Sequence, residues 1–206
     1  LYTETCQLVV RADSDIQTLD DLSGHTVSIG AKESGTERNA SQILEFAGMP
    51  SSLVATKNLD YIEATKELKA GDIDAFFCTA GLTTTVIDEL SKECDIRLIP
   101  LTDTVISKML ESSSAYTSEV IPAGTYTGQT TDISTIGVKS VLITKSDVSD
   151  DTIEQLTSLL FEKENELSYS NSLKLELTYD FATGDIPIPF HKGAKRYYED
   201  CGYSAN

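Results

Sequence analysis

Basic residues are scarce in this 206-residue chain: 16 Lys and Arg stand against 33 Asp and Glu, a formal net charge of −17 at pH 7. Nucleic-acid affinity comes chiefly from cations that displace counterions from phosphates, and anionic headgroups attract polybasic segments. A surface this acidic argues against both partners. Long apolar runs are also missing. Nothing approaches the ~18 residues that read as a membrane span, so this segment is not expected to insert in a bilayer. Tryptophan is absent and histidine occurs only twice. The four cysteines form no C-x-x-C pair. The closely spaced soft ligands of a zinc site are therefore lacking, and neither a metal nor another cofactor is expected.

What is present is an ordinary globular composition. Apolar residues make up 40% and charged residues 24%, too apolar for disorder, and the length suits one or two domains. Short apolar runs at 8–11, 26–29, 53–55, 73–78 and 96–101 read as strands. Between them, Ala40, Ile43, Leu44 and Ala47 mark an amphipathic helix that Gly48 and Pro50 stop; 63–70 and the stripe Val86, Ile87, Leu90 mark two more. Leu19 and Leu22 suggest one helical turn. Alternating strand and helix predicts an α/β fold, a largely parallel sheet with helices on both faces. Residues 112–131, rich in Ser, Thr, Gly and Pro, read as a long ordered loop. A strand is expected at 138–145, joining as an antiparallel neighbour, and a helix at 150–167. After Ser168 the signals weaken to an apolar run over 173–178, a Pro-rich turn at 186–190 and a short helix at 194–199. Cys78, closing an apolar run, reads as a buried thiol.

The turn after Gly30 is the first candidate site. In an open α/β sheet, ligands sit outside the carboxyl ends of the strands, where Gly30-Ala31-Lys32-Glu33-Ser34-Gly35-Thr36 must lie. A helix start offers unpaired N–H groups and a partial positive charge. Gly35 permits close backbone approach, and the Ser34 and Thr36 hydroxyls can donate. The spacing departs from the P-loop at its essential lysine, where Thr36 stands, and Glu33 and Glu37 would repel a polyphosphate. A single carboxylate fits better, and a carboxylate fixed by Thr36→Glu is expected to abolish binding with the fold intact. Ser34 and Glu37 equally fit an S-x-x-E capping box. Thr79-Ala80-Gly81 is a second strand-to-helix turn, and Tyr126 in Pro122–Tyr126 could cover a ligand or simply pack. Catalytic patterns are wanting. There is no G-x-S-x-G elbow around Ser34, and Cys78 with His191 pair on inventory alone.

Laid out in order, these residues resemble the TAXI family, the solute-binding receptors of one class of TRAP transporter. The resemblance runs from Tyr2 to Gly202. It includes Leu8-Val9-Val10-Arg11-Ala12-Asp13-Ser14, Leu19-Asp20-Asp21-Leu22-Ser23-Gly24, and Val27-Ser28-Ile29-Gly30 leading to Ser34-Gly35-Thr36-Glu37 with Asn39-Ala40. It continues through Gly71-Asp72-Ile73-Asp74-Ala75-Phe76-Phe77, Thr79-Ala80-Gly81, Ile121-Pro122-Ala123-Gly124-Thr125-Tyr126, and Ile188-Pro189-Phe190-His191-Lys192-Gly193-Ala194. It implies a bilobal, type II periplasmic-binding-protein fold, of which this chain matches the C-terminal two-thirds. Residues 1–12 would be a hinge strand, 13–137 the ligand-binding lobe, and 138–206 a second hinge strand with part of the other, incomplete lobe. It further implies no enzyme but an extracytoplasmic receptor, periplasmic or held at the cell surface as a lipoprotein. Such a receptor hands a small organic anion, glutamate or a related carboxylate, to TRAP permease subunits. Ser34, Gly35, Thr36, Asn39, Thr79, Ala80, Gly81 and Tyr126 would face the ligand. The alternative is the ligand-sensing extracellular domain of a membrane signalling protein, built on the same module.

Overall fold

A computed structural model describes residues 1–171 and 175–205; of the apolar run 173–178, residues 173 and 174 lie outside it. The chain forms two compact units, one of Glu4–Val138 and one of Leu1–Thr3 with Lys139–Asn206.

The larger unit is built on a mixed sheet. In chain order come β1 (Tyr2–Arg11), a 3-10 turn (Leu19–Leu22), β2 (Thr26–Ser28), α1 (Gly35–Phe46), β3 (Ala55–Lys57), α2 (Tyr61–Ala70), β4 (Ala75–Ala80), α3 (Thr85–Glu93), β5 (Ile96–Leu98), α4 (Asp103–Ser112), β6 (Tyr116–Ile121) and β7 (Ile133–Ser140). The strand order is β3-β2-β4-β1-β7-β6, with β5 against β1. β2 pairs in parallel with both β3 and β4, as the βαβ reading expects. β1 runs antiparallel to β4, with Cys6 opposite Thr79, and antiparallel to β5.

Alternation along β1 and β4 sorts the core between two faces. Cys6, Leu8 and Val10 with Ala75 and Phe77 join Ala40, Ile43 and Leu44 of α1 and Val105, Ile106 and Met109 of α4. Val9 with Phe76 and Cys78 joins Ala64 and Leu68 of α2 and Ile87 and Leu90 of α3. The helices therefore cover both faces, and the α/β class follows from the pattern. Asp74, the one charge in the run 73–78, sits just before β4 and accepts the Thr26 N–H at 2.8 Å, fixing the start of β2. Arg97 holds the loop after β1 by donating to the carbonyls of Ala12, Ser14 and Ile16.

In this unit three expectations need correction. Residues 112–131 are not one loop, because β6 lies within them and pairs antiparallel with β7, Tyr116 opposite Val138. β6 ends the strand order, with one face largely solvated, so its hydroxyl-rich sequence is that of an edge strand. The strand expected at 138–145 instead occupies Ile133–Ser140, where Ile133, Thr135 and Ile136 are buried. α4 has no counterpart among the expected elements.

The smaller unit is helical among its described residues: α5 (Asp150–Glu162), α6 (Glu164–Asn171), α7 (Tyr179–Thr183) and α8 (Lys192–Asp200). The single helix expected at 150–167 is thus two, parted at Lys163. α8 starts hard against α5: a Cβ on Gly193 would lie 2.1 Å from the Asp150 carbonyl oxygen. Phe161 stacks on Tyr179 at 4.6 Å between centroids, with Tyr197 tilted and Tyr198 edge-on to it. Among the described residues no helix is long and apolar enough to cross a membrane.

Candidate functional site

The turn from β2 into α1 depends on Gly30. Its φ is +96°, and a Cβ there would lie 2.8 Å from Thr36 Cβ and Cγ2, a closeness that only glycine tolerates. Ser34 caps the helix, its Oγ accepting the Glu37 N–H at 3.1 Å. The expected capping box is only half made. Glu37 turns to Asn58, whose Nδ2 donates to Oε1 at 2.7 Å, while Oε2 accepts the Glu33 N–H. The same Asn58 amide donates to the Gly30 carbonyl at 3.0 Å, closing the turn.

The first N–H groups of a helix have no partner inside it. Here those of Gly35 and Thr36 are the first two, at an exposed Gly35 beside which a Cβ would meet nothing within 4 Å. The Ser34 hydroxyl, which accepts from Glu37, keeps its proton for another acceptor. The Thr36 hydroxyl does not. It lies 2.6 Å from Tyr61 Oη, which itself donates to the Thr79 carbonyl at 3.0 Å, so the proton between Thr36 and Tyr61 comes from Thr36. Thr36 is 4% exposed. It is a strut joining α1, α2 and the end of β4, rather than the open donor expected from sequence, and a carboxylate forced in at Thr36 would disturb this packing.

One helical turn on, Asn39 is buried. Its Nδ2 donates to Thr79 Oγ1 at 3.4 Å, and its Oδ1 accepts from Tyr116 Oη at 3.0 Å. The structure therefore brings Ser34, Gly35, Thr36, Asn39 and Thr79 together, with Ala80 ending β4 and Gly81 directly after it. Tyr126 belongs to a neighbouring network. Its Oη donates to Gln7 Oε1 at 2.6 Å and accepts the Thr84 N–H at 3.1 Å. Gln7 Nε2 donates to Thr84 Oγ1 at 2.8 Å, and that hydroxyl donates to the Gly81 carbonyl at 2.9 Å. Tyr126 is 3% exposed, and this ring of bonds braces the turn at Gly81.

Tyr61, Tyr116 and Gln7 were not singled out from the sequence. Tyr61 had a signal: it opens a third strand-to-helix turn in the same parallel sheet, subject to the same crevice rule. Arg38 was also passed over. It is exposed, sits in the first turn of α1 where acidic residues are the electrostatic norm, and its charge acts on the Tyr116 phenol. Burial raises the phenols of Tyr61, Tyr116 and Tyr126, so all three stay protonated and able to donate at neutral pH. Burial likewise pushes the Cys6 and Cys78 thiols up to about 12. A thiol held neutral in this way is no nucleophile, which removes the basis for the Cys78–His191 pairing.

The sequence profile of the NMT1-like family matches residues 1–202. Among solved structures, the chain is similar to the periplasmic aliphatic sulphonate binding protein SsuA from Escherichia coli, at 17% identity and a TM-score of 0.49 over 95% of this chain and 54% of that one. It is also similar to holo ArgBP from T. maritima, at 20% identity and a TM-score of 0.42 over 82% and 58%. The chain thus spans little more than half the length of these structures.

Proposed function

The chain belongs to the NMT1-like family, and from the chemistry of its site we propose that it is an extracytoplasmic solute-binding receptor for a small organic anion. Glutamate or a related carboxylate is the proposed ligand, delivered to TRAP permease subunits as in the TAXI receptors that the sequence resembles. Residues 1–12, 13–137 and 138–206 are the proposed hinge strand, ligand-binding lobe, and second hinge strand with part of the other lobe. Ser34, Gly35, Thr36, Asn39, Thr79, Ala80 and Gly81 are the proposed ligand-facing set. Tyr126 acts in it through Thr84 and Gly81. The protein's work is binding, not catalysis.

The start of α1 carries this reading. Two N–H groups without a helical partner, a Ser34 hydroxyl free to donate, a Glu37 carboxylate engaged with Asn58, and an exposed Arg38 occupy five consecutive residues. Charge-assisted hydrogen bonds are worth ~1.5–3 kcal/mol each, net, so two or three suffice for a carboxylate. The helix dipole adds ~0.3–1 kcal/mol. The net charge of −17 does not forbid an anion, because the Debye length at physiological salt is ~8 Å and direct contacts are far shorter. Long-range repulsion acts on the association rate, which should rise with salt.

The test is a thermal-shift screen of amino acids and dicarboxylates. A ligand at 100 times its dissociation constant adds ~2.7 kcal/mol to stability, a shift easily read. A carboxylate should stabilise the wild type, and Arg38→Glu, at an exposed position, should weaken it at least tenfold. Stabilisation only by cationic or neutral solutes would refute the reading.

A further inference from the structure

Two helices of the larger unit begin with the same local signal and are capped differently. At α2, Asp60 Oδ1 accepts the Glu63 N–H at 2.8 Å, and Glu63 reaches back to accept the Asp60 N–H at 3.3 Å. This is the complete capping box, and it sets a carboxylate of the helix itself at the helix start. At α1 the sequence offers the equivalent pair, Ser34 and Glu37. Only the first bond is made, from the Glu37 N–H to Ser34 Oγ at 3.1 Å. The Ser34 N–H goes instead to the Ala31 carbonyl at 3.1 Å.

The difference lies with Asn58. β2 and β3 pair in parallel with Ser28 opposite Lys57, and the Ile29 N–H donates to the Lys57 carbonyl at 3.0 Å. That register sets Asn58, the residue after β3, beside the turn at Gly30. Its Nδ2 carries two protons. One goes to the Gly30 carbonyl at 3.0 Å and the other to Glu37 Oε1 at 2.7 Å. The second oxygen of that carboxylate accepts the N–H of Glu33, a non-glycine residue held at φ +64°. Left-handed backbone is uncommon at such a residue and persists only where the surroundings fix it. Here the Glu37 carboxylate fixes it, and Asn58 holds that carboxylate in place.

A helix start attracts a carboxylate, and Glu37, in the first turn of α1, is one within reach. Drawn to Asn58 and Glu33, it does not serve as the anion of its own helix. Resting on the anion reading above, we infer that Asn58 is a positioning residue for the ligand. It holds the Glu37 carboxylate off the start of α1, so that an external carboxylate, rather than an internal one, meets the Gly35 and Thr36 N–H groups. α2, where Glu63 completes its own box, is the case without such a residue.

A double-mutant cycle tests this. The full chain, ¹⁵N-labelled, is titrated with L-glutamate and with glutarate, and affinity is read from the Gly35 and Thr36 amide shifts. Asn58 is exposed, so Asn58→Ala leaves the core untouched. It is expected to weaken binding about fivefold, the scale of a charge at a helix end. When Asn58→Ala is combined with Glu37→Ala, no carboxylate remains to be released. Affinity should then match that of Glu37→Ala alone within about twofold. A role for Asn58 confined to closing the turn through the Gly30 carbonyl predicts otherwise: the double variant stays as far below Glu37→Ala as Asn58→Ala lies below wild type. That outcome, or an Asn58→Ala affinity equal to wild type, overturns the inference and leaves the anion reading standing. Wild-type protein with no saturable shift at Gly35 and Thr36 for either probe ends that reading, and the inference with it.

Discussion

The hydroxyls of Thr36 and Tyr61 lie 2.6 Å apart and join the first turn of α1 to the first turn of α2. Because Tyr61 also donates to the Thr79 carbonyl and accepts the Thr79 N–H at 3.3 Å, one phenol ties together two strand-to-helix turns and the end of β4. The proposed anion site therefore rests on a side chain 25 residues away in sequence.

Tyr61→Phe should expose this dependence. It leaves the Thr36 hydroxyl and the Thr79 backbone groups short of a partner, a loss of about 1–3 kcal/mol by the usual cost of an unsatisfied buried group. Urea denaturation should show the midpoint falling with the slope unchanged. A midpoint equal to wild type would mean that water replaces the phenol and that the strut is dispensable.

Gly30→Ala should be costly for a different reason. The residue would need φ near +96° and would set its Cβ 2.8 Å from Thr36. Strain of this kind costs on the order of 1–3 kcal/mol, which for a chain of this size lowers Tm by roughly 2–4 °C per kcal/mol. Gly35→Ala meets open space and should leave Tm nearly unchanged. Equal Tm losses at the two positions would contradict this account of the turn.

Much of this was legible in the sequence. Ala40, Ile43 and Leu44 recur at helical spacing, and 73–78 is apolar on both faces apart from Asp74. Those patterns placed α1 and β4 because the elements are buried and the local period reports burial. β6 and β7 were obscured because the edge strand β6 presents one face to solvent, so its Tyr-Thr-Ser-Glu sequence looks like a loop. The candidate turn at 30–36 could be found because a glycine, a capping serine and a helix follow a strand within a few residues. Its supports could not, since Tyr116 reaches Asn39 across 77 residues and Tyr126 reaches Gln7 across 119. No local pattern records such partners.

The two buried thiols give the protein a dependence on alkaline pH. A thiol whose folded pKa is raised stabilises fully below its unfolded value and loses that contribution as pH rises toward the folded value. For Cys6 and Cys78 the window runs from about 9 to about 12. Stability should fall there by about 1.4 kcal/mol per pH unit for each thiol. Cys78→Ala should make the slope shallower by one such increment, whatever its effect at pH 7. Parallel slopes for wild type and variant would show that the thiol ionises in the folded state.

The same burial predicts reactivity. At pH 8 in the folded state, a disulfide reagent such as Ellman's should titrate Cys94 and Cys201, half-buried and exposed, and spare Cys6 and Cys78. In guanidinium chloride all four should react. Rapid modification of Cys78 without denaturant would mean that the core around β4 opens readily.

The central claim is that a carboxylate sits on the two amides at the start of α1 that have no helical partner, and backbone NMR reads those amides directly. With ¹⁵N-labelled protein titrated with a carboxylate found by the thermal screen, the Gly35 and Thr36 N–H resonances should show the largest saturable downfield shifts, with smaller changes at Asn39 and Thr79. Saturable binding that leaves Gly35 and Thr36 unmoved while other amides shift would place the anion elsewhere and contradict the account.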